Sequence, residues 1–153
     1  MTTNDERPAR PPIPKTEISQ GFWDAIAEGH LAIQRCTACG LLRHYPQLRC
    51  PACHSADSDW QKVSGRGRVH SYTVAHRAFH PAWKDHVPYV IATIELDEGV
   101  RMVCDLLDAD PETIAIDQEV AVRFEDLPGQ GPVPRFDIIS ATGVISATGV
   151  IGA

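Results

Sequence analysis

The spacing of hydrophobic residues changes twice along this chain, and each change marks a different kind of element. Residues 1–18 hold Pro8, Pro11, Pro12 and Pro14 among charged and small side chains. With little to bury, they read as a flexible, extended N-terminal arm that can lie on a partner. From Ser19 the spacing becomes helical: Phe22, Trp23, Ile26, Ala27 and, past Gly29, Leu31 recur three and four residues apart. This predicts an amphipathic helix over 19–32, with Ser19 as its N-cap and its apolar stripe packed on the host domain. After residue 62 the period drops to two. Alternating, β-branched segments over 67–78, 89–96, 100–107, 119–125 and 133–139 read as strands separated by turn signals.

Five strands at this spacing, the second and third joined by a tight turn at Asp97-Glu98-Gly99, suggest a small closed or nearly closed β-barrel over 63–138. Residues 108–117 have room for one helical turn starting at Pro111, the insertion expected in a five-stranded OB-type barrel. The tail, 139–153, repeats Ile-Ser-Ala-Thr-Gly-Val from Ile139 and again from Ile145. Two copies do not make a solenoid, and the tail reads as a disordered product of duplication rather than an added strand.

A chain of 153 residues, 43% of them hydrophobic, can build one compact domain, or a small domain with an appended module, without disulfides. No apolar run approaches the roughly 20 residues that cross a bilayer, and no charged end precedes an apolar block, so the expected location is the cytoplasm. Four of the five cysteines form two close pairs while Cys104 stands apart in an apolar stretch as a small hydrophobe, which suits metal ligation in a reducing compartment. The net charge of −6 hides a division. Residues 35–86 carry 8 Lys/Arg against 3 Asp/Glu, leaving 6 and 17 elsewhere, so the middle third is the part able to face an anion.

Cys36-Thr-Ala-Cys39-Gly40 and Cys50-Pro-Ala-Cys53-His54 are two C-x2-C knuckles ten residues apart, within a module over 33–62. Each knuckle aims two thiolates at one point, and together Cys36, Cys39, Cys50 and Cys53 supply the four soft ligands that tetrahedral Zn2+ prefers; rubredoxin-like iron is the competing metal. Four protein ligands leave no open position, so the zinc is structural. Covalent haem on Cys50-Pro-Ala-Cys53-His54 is rejected because no export signal is present, and a thioredoxin-like pair because a second knuckle completes a metal site.

The loop 74–89 gathers His76, Arg77, His80, Trp83, Lys84, Asp85 and His86. A second metal on His76, His80 and His86, or a general base among them, competes with a partner-facing loop; no carboxylate or nucleophile stands at a recognisable spacing, which favours the loop. Gly65-Arg66-Gly67-Arg68 is too short to cradle a phosphate and reads as a flexible entry to the first strand, with two arginines able to meet phosphates.

Several segments carry a resemblance: the helix with Phe22-Trp23, Gln34-Arg35-Cys36 through Cys53, Ser64-Gly65-Arg66-Gly67, Ser71-Tyr72-Thr73-Val74, Pro88-Tyr89-Val90, and Glu95-Leu96-Asp97-Glu98-Gly99. Over about 19–138 the chain resembles the acyl-CoA-associated proteins labelled domain of unknown function 35. The resemblance implies a mainly β protein: an N-terminal helix, a rubredoxin-like zinc ribbon and a five-stranded OB-fold β-barrel. It further implies a non-catalytic accessory subunit that binds and completes or stabilises a thiolase-superfamily enzyme, a ketothiolase or a lipid-transfer-protein-like aldolase, in a hetero-oligomer. A hydratase-associated acyl-CoA-binding subunit is an alternative within the same resemblance. Arg66, Arg68, His76, Arg77 and His80 lie in the matching strand and loop and are the groups able to meet CoA or the partner. Two other functions compete. A single-stranded nucleic-acid-binding module is disfavoured because residues 89–96 hold no Lys or Arg and only Tyr89 as an aromatic, and Glu95, Asp97, Glu98 and Asp105 repel phosphate. A self-sufficient enzyme lacks a nucleophile and an orienting acid.

Overall fold

The computed structural model describes residues 9–139. The duplicated hexapeptides beyond Ile139 and the first eight residues of the arm lie outside the described residues. Helix α1 is Gln20–Ala27, entered through a 3-10 turn at Glu17–Ser19. It is shorter than the hydrophobic stripe predicts. Gly29 adopts φ +82°, and the Gly29 and His30 N–H groups return to Ile26 O and Ala25 O at 3.0 Å each, a reverse turn that ends the helix. Leu31 is buried as the stripe implies, but it leads into the next strand. Ser19 precedes the helix without capping it, because its Oγ turns back to accept the Thr16 N–H at 3.0 Å.

Strands β1 (Ala32–Cys36), β2 (Leu42–Arg43) and β3 (Ser58–Lys62) form an antiparallel ribbon in the order β2-β1-β3. Trp60 on β3 lies so close to α1 that a Cβ on Gly21 would sit 2.1 Å from its Nε1. The helix is thereby held on the ribbon.

The barrel comprises β4 (Arg66–Ala75), β5 (Tyr89–Leu96), β6 (Arg101–Leu106), β7 (Glu119–Leu127) and β8 (Gly131–Ile138), in the order β6-β5-β4-β7-β8, every ladder antiparallel. On β5 the alternation is complete: Val90, Ala92, Ile94 and Leu96 are buried, and they meet Val69, Met102, Leu106, Val120 and Phe136 in one core that also takes in Phe22, Ile26 and Ile33. Residues 108–117 hold the single turn their length allows: it starts at Pro111, the Thr113 and Ile114 N–H groups share Asp110 O, and Ile114 drops into the core. Two expectations change here. Residues 76–78 belong to the loop, since β4 ends at Ala75. Gly67 is there for close approach rather than flexibility, because a Cβ on it would lie 2.3 Å from Glu95 O of the adjoining strand.

Strand β8 begins two residues earlier than its sequence suggests, despite Pro132 and Pro134. Both prolines fall on an edge strand, where a missing donor costs no ladder bond. Pro134 O instead accepts from Cys104 Sγ of β6 at 3.5 Å. The β6–β8 seam is closed by side chains: Arg135, 3% exposed, is held by Asp105 of β6 and Glu125 of β7. Arg123 stands directly opposite Arg135 in the ladder, and Asp108 and Asp137 hold it in turn. Like charges facing across a ladder destabilise it, and these carboxylates offset that repulsion.

The arm also departs from expectation. From residue 9 it is laid on the barrel and clamped by Gln130, whose Oε1 accepts the Ile13 N–H at 2.9 Å and whose Nε2 donates to Arg10 O and Pro11 O at 3.4 Å. Arg10 lies 4.6 Å over the Trp83 ring and Lys15 5.0 Å over Trp23. These cation–π contacts and the Gln130 clamp hold in place a segment whose composition alone would leave it free.

Candidate metal centre

The two knuckles are built by the same local bonds. Gly40 N–H returns to Cys36 O at 2.8 Å and His54 N–H to Cys50 O at 2.9 Å; Cys36 N–H then meets Leu41 O, and Cys50 N–H meets Ser55 O. Each turn closes on a left-handed residue, Gly40 at φ +78° and His54 at φ +62°. His54 of the haem-like pattern thus serves the turn, and its cysteines belong to the metal cluster.

The four Sγ atoms lie within 4.8 Å of one another, with Cys36–Cys53 and Cys39–Cys50 both at 3.5 Å. A tetrahedral site with Zn–S near 2.3 Å has S–S edges of about 3.8 Å, so the quartet fits the ion. Within each pair the cysteines differ. The Cys39 N–H, aided by that of Ala38 and opposed by burial, pulls the Cys36 thiol down to about 6, and the Cys53 N–H likewise lowers Cys50. At Cys39 the Leu41 N–H pulls the thiol down, but hydrogen bonds with Cys50 and Cys53 and the cost of burial outweigh it and push it up to about 12. To hold zinc these thiols would have to lose their remaining protons, which would couple metal binding to pH. Four thiolates would fill a tetrahedral coordination sphere, as in a structural site.

Behind the knuckles is a buried polar group that local spacing did not reveal. Gln34 Oε1 accepts from Arg43 Nε at 2.7 Å and from the Gln47 N–H at 2.8 Å, while Gln34 Nε2 donates to Ser58 Oγ at 3.2 Å. His44 packs against Phe22, ring centroids 5.3 Å apart, and burial holds its pKa down at about 4.

The basic and imidazole groups expected to meet CoA or a partner do not form one cluster. Arg66 and Arg68 stand at the start of β4, beside a polar cleft of about 150 Å³ shared with Asp97 and Glu119. Arg68 is paired with Glu119 at 3.0 Å. His76 and Arg77 are exposed beyond the far end of β4, eight residues from Arg68 and so about 25 Å away along an extended strand. His80 Nδ1 accepts the Ala82 N–H at 3.1 Å and caps the 3-10 turn Pro81–Trp83. Among the described residues the cysteine quartet is the one group of three or more metal-ligating side chains brought together, so His76, His80 and His86 do not converge. The basic middle is partly neutralised by cross-strand pairs, Arg35 with Asp59 at 2.5 Å among them. Cys104 is half-buried; burial first, then the Asp105 charge, pushes its thiol up to about 12 and keeps it protonated.

Sequence spacing also missed a cleft of about 280 Å³ at the β6–β8 seam, lined by the arm, Trp23, Trp83, Cys104 and Arg135. Its walls come from several separate elements, so no local motif announces it.

The chain is a two-module protein, a zinc ribbon built against an OB barrel. Two family models match in tandem: "ChsH2, rubredoxin-like zinc ribbon domain" over residues 23–59 and "ChsH2, C-terminal OB-fold domain" over 60–125. The chain is 35% identical to a DUF35 domain-containing scaffold protein of Methanothermobacter thermautotrophicus over 71% of this chain and 83% of the relative. A probable enoyl-CoA hydratase alpha subunit of Thermomonospora curvata is 38% identical over 88% of this chain, yet the chain spans only 42% of that relative's length. In the solved structure of an Ltp2-ChsH2(DUF35) aldolase, one chain superposes with a TM-score of 0.73 at 38% identity, covering 84% of this chain and 98% of that one. The protein belongs to the DUF35 family of zinc-ribbon and OB-fold proteins. No helix among the described residues is long and apolar enough to cross a membrane.

Proposed function

We propose that this chain is a non-catalytic accessory subunit that binds and stabilises a thiolase-superfamily enzyme acting on acyl-CoA, a ketothiolase or a lipid-transfer-protein-like aldolase. The observation that carries the reading is the match to almost the whole of one chain of the Ltp2-ChsH2(DUF35) aldolase. Two physical features support it. The metal site is coordinatively closed, and Cys104 is held as a neutral thiol, so neither offers a Lewis acid or a nucleophile. Large apolar side chains stand in the open on both modules, Leu48 72% exposed on the ribbon and Phe79 82% exposed on the β4–β5 loop, as suits surface that a partner covers. Arg66, His76 and Arg77 are the cationic and hydrogen-bonding groups we assign to partner or CoA contacts, at two separate places. Arg68 and His80 would have to exchange their present bonds to join them.

Co-expression with a thiolase-superfamily enzyme, followed by size-exclusion chromatography and an acyl-CoA assay with and without this chain, tests the proposal. A joint peak and an activity that depends on this subunit are expected. Elution as two separate proteins overturns it, and a joint peak with a hydratase alone moves the assignment to the CoA-substrate hydratases whose alpha subunits the chain resembles.

A further inference from the structure

We propose that the cleft at the β6–β8 seam is a binding site for a small apolar monocarboxylate, held between two tryptophans and anchored by Arg10. The cleft exists because Pro132 and Pro134 leave β8 without donors at two places, and the seam is bridged by side chains. Ile13, Trp23, Trp83, Val103 and Val133 make its surface mainly apolar. At about 280 Å³ it holds roughly nine atoms the size of a water molecule, at about 30 Å³ each. An eight-carbon carboxylate is of that size.

The charge around the cleft is positive and part of it is unmet. Arg135 and Asp105 line it but are engaged with each other, and Glu125 takes the second side of Arg135. Arg10 is different. Its guanidinium lies over Trp83, and its Nη1 is shielded from solvent with no hydrogen-bond partner among the described residues. A buried charged donor left unsatisfied is unfavourable, so a carboxylate oxygen entering the cleft would supply the partner it lacks. Gln130 holds the arm in this position, donating to Arg10 O at 3.4 Å and accepting from Lys15 Nζ through its own carbonyl at 3.1 Å. An apolar body with one anionic end satisfies walls and anchor together; an alcohol of the same shape satisfies only the walls.

The test needs no partner enzyme, so its outcome is separate from that of the proposed function. The zinc-loaded chain is titrated with octanoate and with 1-octanol below their aggregation limits, and binding is read by calorimetry and by the fluorescence of Trp23 and Trp83. Saturable octanoate binding is expected, at least tenfold tighter than octanol. Arg10→Gln should cost octanoate about tenfold and leave octanol unchanged. Val103→Trp, at a position 49% exposed on the cleft wall, should abolish both without disturbing the core. Equal affinity for acid and alcohol, or no effect of Arg10→Gln, overturns the proposal. So does an absence of saturable octanoate binding to the zinc-loaded chain.

Discussion

The tip of the ribbon and the barrel are held together by different forces. Between Thr37 and Asp57 the one buried apolar side chain is Cys50, and the other buried residue is Arg43. The barrel, by contrast, buries Val69, Val90, Ile94, Leu96, Leu106, Val120 and Phe136 around one centre. The tip has no core to replace its metal, whereas the barrel has no metal to replace its core. A small module can dispense with burial only where coordinate bonds supply the missing stabilisation.

The sharpest way to break this comparison is to remove the zinc. Structural sites of this type contribute about 10–16 kcal/mol of apparent binding energy at neutral pH. Chelation or Cys36→Ser should therefore abolish amide protection between residues 37 and 57 and disturb the near-ultraviolet signal of Trp60, while the β5 amides stay protected in hydrogen exchange. Simultaneous loss at β5 would mean that Leu31, Ile33 and α1 bind the two regions into one cooperative unit.

The complementary change attacks the barrel. Gly67→Ala places a methyl group against Glu95 O, a backbone atom that cannot rotate away, and should cost about 3 kcal/mol in urea unfolding with zinc affinity unchanged. A loss below about 1 kcal/mol would show that the β4–β5 approach is yielding.

His44 tests the junction where the ribbon meets the helix. Its folded pKa of about 4 lies below the ordinary value near 6.5, so the folded state prefers the neutral ring. The unfolded chain binds the proton first as pH falls. Stability tied to this group is fully present above pH 6.5 and declines as pH drops toward 4, by at most about 3 kcal/mol. His44→Phe should flatten that part of the pH–stability curve, measured by thermal melting; an unchanged slope would move the effect to another group.

The smallest effect concerns the two knuckles themselves. His54→Gly relieves a left-handed conformation and should stabilise the zinc-bound form by up to about 1 kcal/mol, while Gly40→His should cost a similar amount. Equal melting temperatures for all three proteins would show that the metal absorbs the strain.

The metal centre was legible in the sequence because a knuckle is a local object. Two cysteines three apart, with a residue that tolerates positive φ after them, already aim at one point, and repeating the unit completes the tetrahedron. The β5 alternation and the Asp97-Glu98-Gly99 turn were legible for the same reason, since a period of two and a hairpin involve only near neighbours. Hydrophobic periodicity ran too far at Leu31, because burial continues across a helix end that Gly29 sets. It stopped short at Pro132, because a proline's meaning depends on which edge of a sheet it faces.

The tertiary structure alone decided that Arg135 is buried, that Gly67 meets a carbonyl across the sheet, that the arm is clamped by Gln130 from 120 residues away, and that Trp23 and Trp83 face one cleft. Each depends on strands brought together from distant parts of the chain. Spacing along a sequence reports which face a side chain takes on its own element; which group it meets there is set by how the elements pack, and that is where the ion pairs, the close approaches and the cleft of this protein arise.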